Sequence, residues 1–288
     1  MMKQITNKSK SFVQCFNEYD ELKQVIVVPP THMRITEVIN TTQRHYLSEN
    51  INIDKALQQH QFFVQTLIKE GAEVIPLETE KELNEQVFTR DIGFTIGDTL
   101  FLASLKSEIR KPELKILQSW LDNRGVSYTP LQTSSIEGGD VILDNDRIWL
   151  GVSDRTSSAA IHQLKGLLTG VEVHMIPIDK SLLHLDCVFN PISKNTALIY
   201  SKGIDPSAKE EIQKHFELID LEEEEQFRLA TNVLSIGNNK IISLPENKRV
   251  NEELTKRGYK VIEVPFSEII KSGGSFRCCT LPTIRQSS

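Results

Sequence analysis

The 288-residue sequence contains little cysteine, glycine or proline, and these shortages exclude several classes of protein. Four cysteines, two of them adjacent, are too few for a disulfide framework. Fourteen glycines and eleven prolines without a fixed period exclude a collagen-like chain. With 39% apolar and 25% charged residues, the composition is typical of a folded protein in a reducing compartment, and a cytoplasmic location is expected.

The sequence also lacks long apolar runs and an excess of basic residues. Its best apolar run, residues 25–28, is far shorter than the roughly 20 residues that span a bilayer. The N-terminal MMKQITNKSK has no apolar stretch behind it, so no signal peptide is expected. Lys and Arg number 33 against 39 Asp and Glu, a net charge of −6, which argues against nucleic-acid binding. We therefore expect neither a membrane nor a nucleic-acid partner.

One sequence pattern recurs along the chain. An amphipathic helical stretch precedes a short β-prone run that ends in proline, leucine or isoleucine. The recurring runs begin 54, 45, 45 and 43 residues apart and are GAEVIPL (71–77), GVSYTPL (125–131), GVEVHMIPI (170–178), HFELIDL (215–221) and GYKVIEVP (258–265). The helices are predicted at 54–70, 113–124, 157–168, 207–215 and 246–257.

A predicted hairpin precedes each helix from the second onward, so the unit is strand, strand, helix, strand. The first unit lacks its opening strand, and a strand at 277–281 follows the last unit. Pairing of 277–281 with 25–28 would close a ring. The sequence thus predicts one α/β domain over 1–288, a five-bladed propeller of ββαβ modules closed by its terminal strands. An open two-domain α/β sheet is the alternative.

Mostly reactive or charged residues stand at the start of each unit's first strand. They are spaced by 46, 47, 48 and 46 residues and are Asp91, Glu137, His184, Asn232 and Cys278. In a radial array equivalent positions converge, and such side chains need one another or a polar ligand when they are buried. Each could be an ordinary structural residue, but independent structural residues need not share a period. The spacing therefore predicts a central polar pocket.

The residue types in this pocket suit an attack on a guanidinium carbon. A Cys278 thiolate is a strong nucleophile, His184 can protonate a leaving amine and then deprotonate water, and Glu137 can orient the imidazole. Asp91 and Asp186 add two carboxylates that match the N–H donors of a planar cation. The expected reaction passes through a covalent thiouronium, which water hydrolyses.

Other chemistries have weaker support in the sequence. A zinc site at His184, Cys187 and Cys278 or Cys279 lacks any C-x-x-C or H-x-x-x-H spacing. G-x-S-x-G is absent, and the glycine pairs at 138–139 and 273–274 follow neither a phosphate-loop nor a dinucleotide pattern. The sequence therefore predicts no metal, no nucleotide and no other cofactor.

Four motifs resemble those of the guanidino-group-modifying superfamily, and they are FTRD (88–91), EGGD (137–140), HLDCVF (184–189) and GGSFRCCT (273–280). This superfamily includes arginine deiminase, dimethylarginine dimethylaminohydrolase, agmatine deiminase and glycine amidinotransferase. The resemblance runs from about residue 20 to 285, and the length is similar to that of the bacterial dimethylarginine dimethylaminohydrolase-like branch. It implies a five-bladed α/β propeller and a hydrolase of C–N bonds in linear amidines, with a small guanidino compound as substrate.

The resemblance implies the roles of nucleophile, general acid/base, acid/base partner and guanidinium ligand for Cys278, His184, Glu137 and Asp91. Cys278 is preferred to Cys279 because the family cysteine is followed by one residue and then Ser or Thr, here Thr280.

The family also suggests further substrate contacts. Its arginines about 19 residues after the Asp and Glu motifs often hold a substrate α-carboxylate. Here Arg110 lies 19 residues after Asp91, and Arg155 lies 18 after Glu137, although either could be a solvated surface residue. Phe88 is expected to line the pocket.

Two departures from the family patterns bear on the substrate. Asp186 stands where dimethylarginine hydrolases commonly place Lys, which favours a free or less-substituted guanidinium, because a dimethylated nitrogen has no N–H for the carboxylate. Lys271 and Ser272 stand where arginine deiminases carry an arginine, which weakens assignment as a simple arginine deiminase.

Several questions stay open at the level of sequence. Arginine, methylarginines and agmatine all fit as substrates, and amidino transfer to an amine is the alternative reaction. A guanidine-binding protein without activity is a third hypothesis. The oligomeric state is open, and a homodimer is one possibility. Loops such as residues 31–46 could form a lid over the site.

Overall fold

A computed structural model describes residues 12–131 and 134–287, so the N-terminal MMKQITNKSK lies outside the described residues. The fold is mixed α/β. The strands are β1 (Glu21–Val27), β2 (Glu73–Pro76), β3 (Gly93–Ile96), β4 (Thr99–Leu102), β5 (Tyr128–Pro130), β6 (Val141–Asp144), β7 (Arg147–Val152), β8 (Glu172–Pro177), β9 (Phe189–Pro191), β10 (Thr196–Ile199), β11 (Glu217–Asp220), β12 (Leu234–Gly237), β13 (Lys240–Ser243), β14 (Lys260–Glu263) and β15 (Leu281–Gln286). The α-helices are α1 (Thr41–Tyr46), α2 (Ile53–Lys69), α3 (Glu113–Asn123), α4 (Ser158–Leu167), α5 (Pro206–Gln213), α6 (Glu223–Phe227) and α7 (Lys248–Lys256).

The strands form five three-stranded sheets that share one pattern. In each sheet the first two strands are antiparallel and the third is parallel to the middle strand. The parallel connection always contains a helix, namely α2, α3, α4, α5 or α7. This is the predicted strand, strand, helix, strand unit, and each of these helices begins and ends within two residues of its predicted bounds.

Local sequence explains why these helices form where they do. In α4 the Ser157 side chain caps the N-terminus by accepting a hydrogen bond from the Ala160 N–H. Ile161 and Leu164 follow at helical spacing and are buried. Both side chains lie in an apolar cluster with strand residues such as Leu150.

The C-terminal strand completes the first sheet, in the order β15-β1-β2. Strand β15 pairs antiparallel with β1, and Leu281 lies opposite Ile26. The predicted bounds of 277–281 for this strand are wrong, because the chain turns before it becomes extended. The Cys279 N–H donates to the Ser275 carbonyl at 3.0 Å and the Thr280 N–H donates to the Arg277 carbonyl at 3.1 Å.

Buried apolar side chains form four clusters, and two of them bear on later arguments. Trp149 is fully buried in one of them. Phe63, Phe266 and Phe276 pack on one another in a second cluster that also contains Cys278. Among the described residues, no helix is long and apolar enough to cross a membrane.

Candidate active site

The five periodic residues lie a few positions before the first strands of their sheets, and all are buried. His184 Nε2 lies 2.8 Å from Glu137 Oε2, and His184 Nδ1 lies 3.7 Å from Asp91 Oδ1. The Asn232 side-chain oxygen accepts a hydrogen bond from the Cys278 N–H at 3.1 Å. The structure therefore brings these positions together in two contacting groups, one around His184 and one around Cys278.

The Glu137–His184 pair is an ion pair without solvent exposure. Burial would raise the pKa of Glu137, but the hydrogen bond and charge of His184 outweigh it and lower the pKa to about 2. Burial disfavours the imidazolium of His184, yet the charge of Asp91 and the Glu137 hydrogen bond hold its pKa well above 6.5. His184 thus carries a proton that it can donate.

The Cys278 thiol lies against the carboxylate of Asp186. Its Sγ is 3.6 Å from Asp186 Oδ2 and 3.9 Å from Oδ1. A hydrogen bond with Cys187, burial and the Asp186 charge raise the pKa of Cys278 well above 9.0. Burial also raises the pKa of Asp186, against the opposing charge of Arg277. At rest Cys278 is a neutral thiol, and a cation beside it would favour the thiolate.

One narrow cavity of about 10 Å³ joins the two groups. Of the predicted site residues, its lining includes Phe88, Asp91, Arg110, Arg155 and Cys278. Glu137, His184 and Asp186 are fully buried and support the cavity wall through their contacts with Asp91 and Cys278. A larger outer cavity of about 260 Å³ shares Ile39, Arg155 and Gly273 with the inner one.

The two predicted arginines are both buried, which excludes the solvated surface alternative. Arg110 Nη1 pairs with Asp91 Oδ2 at 2.6 Å, and Arg110 Nη2 pairs with Glu113 Oε2 at 2.9 Å and donates to the Phe88 carbonyl at 3.2 Å. Arg155 Nη2 donates to the Ile39 carbonyl at 2.8 Å, and its Nη1 lies 3.7 Å from Glu137 Oε1. Arg110 therefore orients the Asp91 carboxylate and is already paired.

Residues 31–46, the segment that could form a lid, contribute Ile39 and Asn40 to the cavity lining. Asn40 Nδ2 donates to the Ser272 carbonyl at 2.9 Å, and Gln43 Nε2 donates to Glu85 Oε1 at 2.8 Å and Ser272 Oγ at 2.7 Å. Glu85 was not predicted from the sequence, and burial raises the pKa of its carboxyl to about 7. Glu85 has no counterpart at the repeat spacing, so the periodic pattern carried no signal for it.

Several known proteins resemble this chain over most of its length. Residues 29–285 match the family model described as N,N dimethylarginine dimethylhydrolase, eukaryotic. The chain is 49% identical over 278 residues to the uncharacterized protein YkgA of Bacillus subtilis (strain 168). This alignment covers 96% of this chain and 97% of that protein. It is 25% identical over 262 residues to the N(G),N(G)-dimethylarginine dimethylaminohydrolase of Mycobacterium tuberculosis, with 90% and 85% covered.

A solved structure supports the same relationship. The N-terminal domain of ArgZ, described as an arginine dihydrolase from the ornithine-ammonia cycle in cyanobacteria, matches with a TM-score of 0.84 and 26% identity. The match covers 92% of this chain and 98% of that domain. The chain therefore belongs to the N,N-dimethylarginine dimethylhydrolase family of hydrolases.

Proposed function

We propose that this protein is a cysteine-dependent hydrolase that attacks the guanidino carbon of arginine or an arginine-like compound. The observation that carries the proposal is the placement of the Cys278 thiol and the Asp91 carboxylate on one cavity, with Asp186 against the sulfur. A planar guanidinium there can donate hydrogen bonds to both carboxylates, which holds its central carbon next to the sulfur. The kinship with dimethylarginine dimethylaminohydrolases and with ArgZ supports this reading.

Substrate binding activates the nucleophile in this mechanism. The positive guanidinium offsets the charge of Asp186 and favours the Cys278 thiolate, whose proton passes to solvent. The thiolate forms a C–S bond to the central carbon. The electron pair of the C=N bond moves to nitrogen and gives a tetrahedral adduct. The His184 imidazolium donates its proton to the leaving nitrogen, the C–N bond breaks, and ammonia or an alkylamine departs from a thiouronium.

Hydrolysis then reverses the proton transfer. Neutral His184, held by Glu137, accepts a proton from water, and the hydroxide attacks the thiouronium carbon. The C–S bond breaks, the electron pair returns to the Cys278 sulfur, and the sulfur takes up the hydroxyl proton of the adduct. A neutral ureido product leaves. No step requires an electron acceptor or a metal-bound nucleophile.

The two arginines receive different roles. Arg110 is saturated by Asp91 and Glu113, so we assign it to positioning Asp91. Arg155 lines both the inner and outer cavities and is the candidate ligand for a substrate α-carboxylate. Phe88 forms an apolar wall of the inner cavity. The carboxylate of Asp186 favours a guanidinium that keeps its N–H groups over a dimethylated one.

We also propose that the five sheets are the blades of one propeller domain over residues 1–288, closed by the β15–β1 pairing.

The four cysteines are free thiols, which fits the reducing cytoplasm. Light scattering coupled to size-exclusion chromatography distinguishes a monomer from a homodimer.

A mass-spectrometric product screen tests the proposed reaction. The purified protein is incubated separately with arginine, methylarginines and agmatine, with and without an acceptor amine. We expect a ureido product and ammonia or a monoalkylamine from at least one substrate, with dimethylarginine turned over more slowly. Ornithine formation that depends on the acceptor amine would indicate amidino transfer instead. If no guanidino compound is consumed, the proposed function is wrong.

The backbone of the EGGD motif makes a second test possible. A Cβ added at Gly139 would lie 2.7 Å from Cγ and Nδ1 of His184, so Gly139→Ala must displace the imidazole. We expect at least a tenfold loss of kcat and about 1–3 kcal/mol of lost stability, the usual cost of overpacking. The control is Gly166→Ala in α4, where no atom lies within 4 Å and added helix propensity contributes up to about 1 kcal/mol. Equal turnover in both variants would show that His184 does not need its present position.

A further inference from the structure

A cluster of two histidines and a glutamate lies outside the candidate active site. His174 is in β8, Glu211 is in α5, and His215 follows the end of α5. His174 Nδ1 lies 3.9 Å from Glu211 Oε1, and His215 Nε2 lies 3.6 Å from the same oxygen. One ligand atom from each residue lies within 4.8 Å of the other two. The mechanism proposed above uses none of these side chains.

The spacing of these atoms suits one divalent ion. Zinc binds imidazole nitrogen and carboxylate oxygen at about 2.1 Å, so tetrahedral ligands are about 3.4 Å apart and no pair can exceed about 4.2 Å. Both separations from the glutamate oxygen fall between these limits. One ligand atom of each residue lies within 4.8 Å of the other two, so a small side-chain rotation is enough to bring all three to one ion. The side chains of His174, Glu211 and His215 are 11%, 34% and 23% exposed, so an ion can enter and keep a water as its fourth ligand.

The surroundings of His174 match those of a metal-bound imidazole. Its Nε2 lies 3.4 Å from Glu172 Oε1, and within the described part of the chain this buried nitrogen makes no hydrogen bond. A histidine that binds metal through Nδ1 donates its Nε2–H to a neighbouring carboxylate, which fixes the tautomer and the ring orientation. Glu172 is placed for that role. On its other side the His174 ring stacks on Trp149.

We propose that His174, Glu211 and His215 form a binding site for a divalent transition metal of the Zn²⁺ and Ni²⁺ class. Two imidazoles and one carboxylate favour these ions over Mg²⁺ and Ca²⁺, which prefer oxygen ligands. Lys214 pairs with the other carboxylate oxygen of Glu211, Oε2, which leaves Oε1 to the ion. The metal ties the sheet of β6, β7 and β8 to the helix of the following unit and stabilises the folded state by mass action.

Trp149 provides a direct reporter for this site. It is fully buried, and its ring centroid lies 4.3 Å from that of His174. Titration of the intact protein with NiCl₂ should quench tryptophan fluorescence in a saturable, one-site manner, and ZnSO₄ should compete and restore the signal. Zn²⁺ should also raise the thermal midpoint of unfolding.

Variants separate a metal site from a surface ion pair. Glu211→Gln and His215→Gln, both at partly exposed positions, should weaken Ni²⁺ binding by at least about tenfold. His162→Gln, at an exposed position of α4, is the matched control and should leave the affinity unchanged. Unsaturable quenching, or equal affinity in wild type, Glu211→Gln and His215→Gln, would overturn the proposal.

The active site itself contains groups that could bind an ion, since Asp91, Glu137 and His184 also lie close together. Cys278→Ser and His184→Gln therefore complete the test. Quenching that persists in both variants supports the site at His174. Quenching that disappears in either variant would place the ion at the active site and contradict the proposal.

Discussion

Cys278→Ser should lower kcat for the guanidino substrate by at least about 10³-fold. The substitution keeps the size and place of the side chain, but a hydroxyl is a far weaker acid than a thiol. In this buried place next to Asp186 the alkoxide forms even less readily than the thiolate, because the pKa of the thiol is already raised. Steady-state kinetics measure the loss of turnover. Intact-protein mass after treatment with a haloacetamidine measures the loss of the covalent adduct, which should also disappear.

Cys279→Ala is the matched control for this prediction. Cys279 is fully buried in an apolar cluster, next to the proposed nucleophile in sequence. We expect this variant to keep the adduct on Cys278 and to change kcat by no more than a few-fold. A Cys278→Ser protein that still turns over substrate, or an adduct found on Cys279, would reject Cys278 as the nucleophile.

Asp186→Asn should change two reactions of the same thiol in opposite directions. The charge of Asp186 helps to raise the pKa of Cys278, so its removal increases the thiolate fraction at neutral pH. Alkylation of Cys278 by neutral iodoacetamide should therefore become faster. The guanidinium meanwhile loses a charged partner, and kcat/KM for the substrate should fall by about 10²-fold or more.

The pH dependence has a definite sign. Because the pKa of Cys278 lies above 9.0 in the free protein, the thiolate fraction grows tenfold with each pH unit below that value. The kcat/KM profile reports the free enzyme, so it should rise with pH from neutrality as the thiolate forms, and it should fall where His184 loses the proton that the leaving nitrogen needs. In Asp186→Asn the rise in alkylation rate should shift to lower pH. Asp146→Asn, at an exposed carboxylate, should shift neither profile. Alkylation and turnover that fall together in Asp186→Asn would show that Asp186 only maintains the structure.

The repeat explains why much of this site was predictable. Each unit is the same supersecondary structure, so residues at the same place in each unit reach the same end of their sheets. That geometry converts intervals of 46 to 48 residues into the contacts of His184 with Glu137 and Asp91. The helices were predictable as well, because caps and apolar spacing act within a few residues of sequence.

Other features of the site come from contacts between segments that are distant in sequence. Gln43 and Ser272 are 229 residues apart, and Glu85 and Ser272 are 187 apart, so no local pattern could pair them. The turn that places Cys278 ahead of β15 likewise depends on Asn232, which accepts hydrogen bonds from the Ser275 and Cys278 N–H groups. Gln43, Glu85 and Ser272 have no periodic signature, and the repeat pattern placed a closing strand at 277–281 instead of this turn.

The amino-acid sequence thus determined the repeating unit, the approximate bounds of its helices and the types of residue that meet at the site, because all three follow from short-range patterns repeated along the chain. Folding decided which charges those residues carry and which are free for a ligand. The hydrogen bond with Cys187, burial and the charge of Asp186 keep Cys278 protonated. Asp91 and Glu113 occupy Arg110, while Arg155 still lines the cavity. Protonation and pairing depend on desolvation and on neighbours from several units at once, and these exist only when the five sheets are assembled.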